Sequence, residues 1–155
     1  MQSYNSLSAF PDAAPALSAL AEDPSIKAVV FSNGTHNMAS TSVHKSPGLS
    51  PHSALFKHIV TVEEVACFKP HPAMYHHLAE TVGVGHSEED MGRMWLVSGN
   101  PFDVVGARAV GMLAAWVDRG GAGWTDAMVE GESGRPTAIV KGLGEAVEAV
   151  KKHMD

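Results

Sequence analysis

Met94-Trp-Leu-Val-Ser-Gly-Asn-Pro-Phe-Asp103 runs from an apolar segment through a Ser-Gly-Asn turn into a helix. Residues 94–97 read as a strand and 102–110 as a helix stopped by Gly111. A strand that feeds a helix through a tight turn is the repeating unit of an α/β domain with a parallel sheet. The same alternation extends to both sides. Lys27-Ala-Val-Val-Phe31 is short and continuously apolar, the pattern of a strand buried on both faces. Residues 58–62, Leu113-Ala-Ala-Trp-Val117 and Ala138-Ile-Val140 read as further strands. Helices are expected over 11–21, with Ala14, Leu17, Leu20 and Ala21 inward and Asp12 at the start. Two more fall over 72–82, with Tyr75, Leu78, Ala79 and Val82 on one face, and around Leu143, Ala146, Val147 and Val150. Residues 46–51 and 118–123 read as loops, and Gly120, Gly121 and Gly123 mark the second as a candidate mobile segment.

Length and charge narrow the function. The 155 residues fit a single domain, 1–155. Seventeen acids against eleven bases give a net charge of −6, which argues against a nucleic-acid partner. The lone cysteine, Cys67, leaves no disulfide framework and no cysteine-based zinc site. No apolar run has the roughly 18 residues of a membrane span, and the first residues lack a secretory pattern, so a soluble cytoplasmic protein is expected. The nine histidines contain no H-E-x-x-H pair, so no metal is expected from them.

Three segments fall where parallel strands end, which is where α/β sheets place their sites. Phe31-Ser-Asn-Gly-Thr35 offers hydroxyls, an amide and free backbone N–H groups suited to a carboxylate. Taken alone, it is also ordinary turn chemistry. Phe68-Lys-Pro-His-Pro-Ala-Met-Tyr75 places Lys69 ahead of a proline-initiated helix, where a cation is unfavourable unless an anion joins it. The third segment carries Ser98, Asn100, Phe102 and Asp103, and Asp103 also suits a plain helix-start acid.

In this order the three motifs resemble those of the haloacid dehalogenase superfamily, in particular its 2-haloacid dehalogenase branch. Ser32-Asn33-Gly34-Thr35, Lys69 through Tyr75, and Ser98-Gly-Asn100-Pro-Phe-Asp103-Val-Val-Gly106-Ala107 match the branch patterns, and Leu7-Ser-Ala-Phe-Pro-Asp12 looks like its return from cap to core. The resemblance implies a Rossmann-like parallel sheet flanked by helices. It implies Lys69, Asp103 and Tyr75 as catalytic residues. Ser32, Asn33, Thr35, Ser98, Asn100 and Phe102 would bind a small carboxylate or carbonyl substrate.

The family nucleophile, an aspartate in a D-x-x-G-[TV]-L segment, has no counterpart in these residues. The chain starts where the family has passed its first strand and most of its cap, so a core truncated at the N-terminus is expected. Gly99 stands where the phosphatases of the superfamily carry a magnesium-binding aspartate. One carboxylate is too few for an oxygen-rich Mg²⁺ site, and neither metal nor cofactor is expected. Without the family's first strand, two inward sheet edges lose their partners, so a homodimer or a complex covering them is expected. The expected function is metal-independent acid–base chemistry, namely hydrolysis, isomerisation, dehydration or cyclisation, by an altered hydrolase. The alternatives are a non-catalytic binding or regulatory subunit and an inactive truncated dehalogenase.

Overall fold

The computed structural model describes residues 8–126 and 129–154. Leu7, the first residue of the expected cap-to-core stretch, lies outside them. The chain divides between Ala66 and Cys67 into two compact units.

The first unit holds α1 (Ala13–Ala21), β1 (Ala28–Ser32), α2 (His36–Lys45) and β2 (Phe56–Thr61), with 3₁₀ turns at Ser50–Leu55 and Val62–Glu64. β1 and β2 pair in parallel, with Val30 opposite Ile59 and Ser32 opposite Thr61. The expectation that 27–31 is buried on both faces is corrected: every residue of β1 is half-buried. Among the described residues β1 pairs with β2 alone, so a two-stranded ribbon leaves it partly open. In α1 the buried residues are Ala13, Ala16 and Leu17, while Ala14 and Ala21 are exposed. An alanine-rich helix offers two candidate stripes, and the one beginning at Ala13 wins. α2 was not expected, because Asn37, Ser40, Thr41 and Ser42 hide its pattern. Its signals are a threonine N-cap, where Thr35 Oγ1 accepts the Met38 N–H at 3.2 Å, and the buried i, i+4 pair Ala39 and Val43.

The second unit runs α3 (Pro72–Thr81), α4 (Glu88–Met91), β3 (Trp95–Ser98), α5 (Pro101–Ala109), β4 (Leu113–Val117), β5 (Ala138–Val140) and α6 (Leu143–Met154). Its strands form one parallel sheet in the order β3-β4-β5, with Ser98 opposite Trp116 and Trp116 opposite Ile139. Ala115 and Val140 pack against Ala146 of α6, joined by Trp95, Val117 and Ala138. Side chains alternate along a strand. Leu96, Ser98, Ala114 and Trp116 therefore leave the opposite face, on the side where α5 packs on β3 and β4. The neck of the 118–123 loop carries two hydrogen bonds to Asp118. Asp118 Oδ2 accepts the Gly123 N–H at 2.8 Å and Oδ1 the Ala122 N–H at 3.2 Å.

Candidate active site

Two helices starting with proline bring one lysine and one aspartate together. Pro72 opens α3, and His71 Nδ1 caps it by accepting the Ala73 N–H at 3.2 Å. Pro101 opens α5 and sets Asp103 in its first turn. The helices pack on each other, so Lys69 ahead of α3 meets Asp103. Lys69 Nζ lies 3.1 Å from Asp103 Oδ2, with the two side chains 7% and 5% exposed. Ser98, at the carboxyl end of β3, donates its hydroxyl to the same oxygen at 2.9 Å and accepts the Asn100 N–H at 3.0 Å. Asp103 Oδ1 is buried with no hydrogen-bond partner. A buried charge persists when it is paired and hydrogen-bonded, and here one oxygen carries both bonds while the other is left for an incoming donor.

Tyr75 supports this arrangement from below. It is fully buried, and its hydroxyl donates to the Asp103 main-chain oxygen at 3.2 Å. Burial, and secondarily the Asp103 charge, pushes its phenol well above the ordinary range, so the group acts as a donor rather than a base. The folded state holds this proton more tightly than the unfolded chain. Its contribution is therefore complete below about pH 10 and declines above that as the unfolded phenol ionises. Ultraviolet titration of the chain's two tyrosines should show one phenol ionising only as the fold opens. Free titration of both in the folded protein would contradict this.

Gly106, one turn beyond Asp103, makes room for Tyr75. A Cβ there would stand 2.7 Å from Tyr75 Cζ and 2.8 Å from Pro70 Cβ. Glycine to alanine inside a helix ordinarily stabilises by about 1 kcal/mol. Here overpacking outweighs that gain, and Gly106→Ala is expected to lower stability by about 1–3 kcal/mol in a urea titration. A gain would show that Tyr75 is not seated against the helix.

Asn100 and Phe102 are exposed at the rim, Asn100 at the N-cap position of α5 without a side-chain capping bond. Ser32, Asn33 and Thr35 belong to the first unit. Ser32 Oγ accepts the Gly34 N–H at 3.0 Å, Thr35 serves as the cap of α2, and Glu63 Oε2 accepts the His36 N–H at 2.5 Å. Sequence reading missed the Glu63 bond to the His36 N–H, whose partners are 27 residues apart, and the packing role of Gly106.

Asp103 is paired with the Lys69 ammonium, and Gly99 supplies no carboxylate beside it. Among the described residues no group of three His, Cys, Asp or Glu could hold a metal ion.

A strand-end serine, a buried lysine–aspartate pair and parallel strands together point to one family, whose haloacid dehalogenase-like hydrolase model matches residues 2–111. The chain belongs to the haloacid dehalogenase-like hydrolase family. It is 36% identical over 118 residues to the (S)-2-haloacid dehalogenase of Xanthobacter autotrophicus, covering 76% of this chain and 42% of that protein. It is 31% identical over 145 residues to the (S)-2-haloacid dehalogenase H-109 of Pseudomonas putida, covering 93% and 58%. A crystal structure of the L-2-haloacid dehalogenase from Xanthobacter autotrophicus, with chloropropionic acid covalently bound, matches at TM-score 0.76 and 28% identity over 97% of this chain and 64% of that one. The chain thus spans about half the length of the curated relatives it matches.

Proposed function

We propose that these residues carry out metal-independent acid–base hydrolysis of a small carboxylate or carbonyl substrate. One observation carries the reading: the buried Asp103 carboxylate has Lys69 and Ser98 on Oδ2 and nothing on Oδ1. Lys69 and Ser98 orient the carboxylate through Oδ2, and Oδ1 takes a proton from water as the water oxygen bonds to the electrophilic carbon. The leaving group departs with the electron pair of its bond and recovers that proton. Tyr75 and Gly106 fix the backbone beneath Asp103 and so act as positioning residues. Asn100 and Phe102 on the rim are assigned to the substrate.

The relatives are named as dehalogenases. The 155 residues here contain no D-x-x-G-[TV]-L segment to form an ester with the substrate carbon. Purified chain is therefore expected to release no halide from 2-chloropropionate while hydrolysing members of a panel of small esters and amides of carboxylic acids. Halide release would overturn the reading.

The reading takes 1–155 as one core domain in the cytoplasm. No described helix is long and apolar enough to cross a membrane. It also assigns a covering partner, a second copy of the chain, to the edges of β1 and β3 that pair with no described strand. Light scattering after size exclusion is expected to give the mass of a dimer. A clean monomer at micromolar concentration would contradict that assignment.

A further inference from the structure

The geometry points to Trp116 as a positioning residue that seats a water molecule on the Asp103 carboxylate. This inference rests on reading Asp103 as the base. Trp116 is paired beside Ser98 across β3 and β4, and the residues packed against α6 place both side chains on the other face of the sheet, the α5 face. Ser98 is the residue whose hydroxyl bonds Asp103 Oδ2 at 2.9 Å. Two atoms on this face lack partners of opposite kinds. Asp103 Oδ1 is a buried acceptor without a donor, and Trp116 Nε1 is a buried donor without an acceptor, in side chains of residues only 4% and 8% exposed. Trp124 stands edge-on to Trp116, with ring centroids 5.1 Å apart and planes at 81°, and its Nε1 is a further buried donor without an acceptor.

The chemistry of the pair selects the occupant. An anion would accept from the indole but be repelled by the carboxylate. A cation would suit Asp103 and leave the indole donor unmet. Water accepts from N–H and donates to a carboxylate at once, and buried waters typically make about three such bonds. Seated there, the water already has its proton directed at Oδ1. Hydrolysis then moves that proton to Asp103 while the oxygen bonds to the substrate carbon and the leaving group takes the electron pair of the broken bond. Trp124, edge-on to Trp116, sets a second ring against the indole.

The test reads the water without requiring turnover. In ¹⁵N-labelled protein the indole N–H signal of Trp116, assigned by its loss in Trp116→Phe, should show a nuclear Overhauser contact to a long-lived water. That signal should shift in Asp103→Asn while the signal of Trp95 stays in place. Trp116→Phe should lower the rate of hydrolysis about tenfold at unchanged KM, the scale of one hydrogen bond lost only in the transition state. No water contact at Trp116, or no shift in Asp103→Asn, would overturn the seat. A water contact in a protein that hydrolyses nothing would support the seat and overturn the hydrolytic role of Asp103, so the two failures are distinguishable.

Discussion

Lys69→Ala is expected to lower the stability of the protein by about 3–5 kcal/mol, the cost of leaving a buried charge without its partner. The Lys69 and Asp103 side chains are 7% and 5% exposed, so solvent cannot screen the loss as it would at a surface pair. With the ammonium gone, Asp103 keeps a single side-chain hydrogen bond, from Ser98, and its second oxygen still lacks a partner. A urea titration of wild type and variant measures the effect. Removing both charges is the informative control. A buried pair replaced by apolar groups of similar volume is often neutral or stabilising by about 1–4 kcal/mol, so Lys69→Met combined with Asp103→Leu should recover what the single variant loses. That recovery would show that the pair is kept for chemistry rather than for stability. A Lys69→Ala variant as stable as wild type would mean that the two groups do not meet in solution.

Much of this arrangement was legible in the sequence, and what escaped it has identifiable causes. The β4 and β5 boundaries agree residue for residue, because Leu113-Ala-Ala-Trp-Val117 and Ala138-Ile-Val140 are apolar runs bracketed by turn residues. Pro72 marks a helix start, since a proline ring suits the first helical position, and Pro101 opens α5 one residue ahead of the expected start at Phe102. Lys69 and Asp103 are 34 residues apart, a separation that periodicity does not reach, and only the motif resemblance joined them. The half-buried state of β1 depends on which strands stand beside it, something its own five residues do not encode. Tyr75 read as a candidate catalytic group, and its hydroxyl donates to the Asp103 main-chain oxygen. The space it needs comes from Gly106, a glycine that resembles any other until the ring is in place.

Asp103→Asn carries the other large effect. Asparagine keeps the shape of the side chain and can still accept from Lys69 and Ser98 through its amide oxygen, but it cannot take a proton from water at neutral pH. General-base assistance is commonly worth about 10²–10⁴-fold in rate, and a loss in that range is expected for any ester or amide that the wild type hydrolyses. The variant also leaves Lys69 without its counter-charge, so its rate is measured where its near-ultraviolet circular dichroism matches that of wild type. With the fold thus controlled, the steady-state rate of Asp103→Asn against wild type, on the substrate that the wild type hydrolyses fastest, is the most direct measurement of whether Asp103 is the base. A drop of about 10²-fold or more is the result this account predicts. A folded variant that turns over as fast as wild type would contradict it.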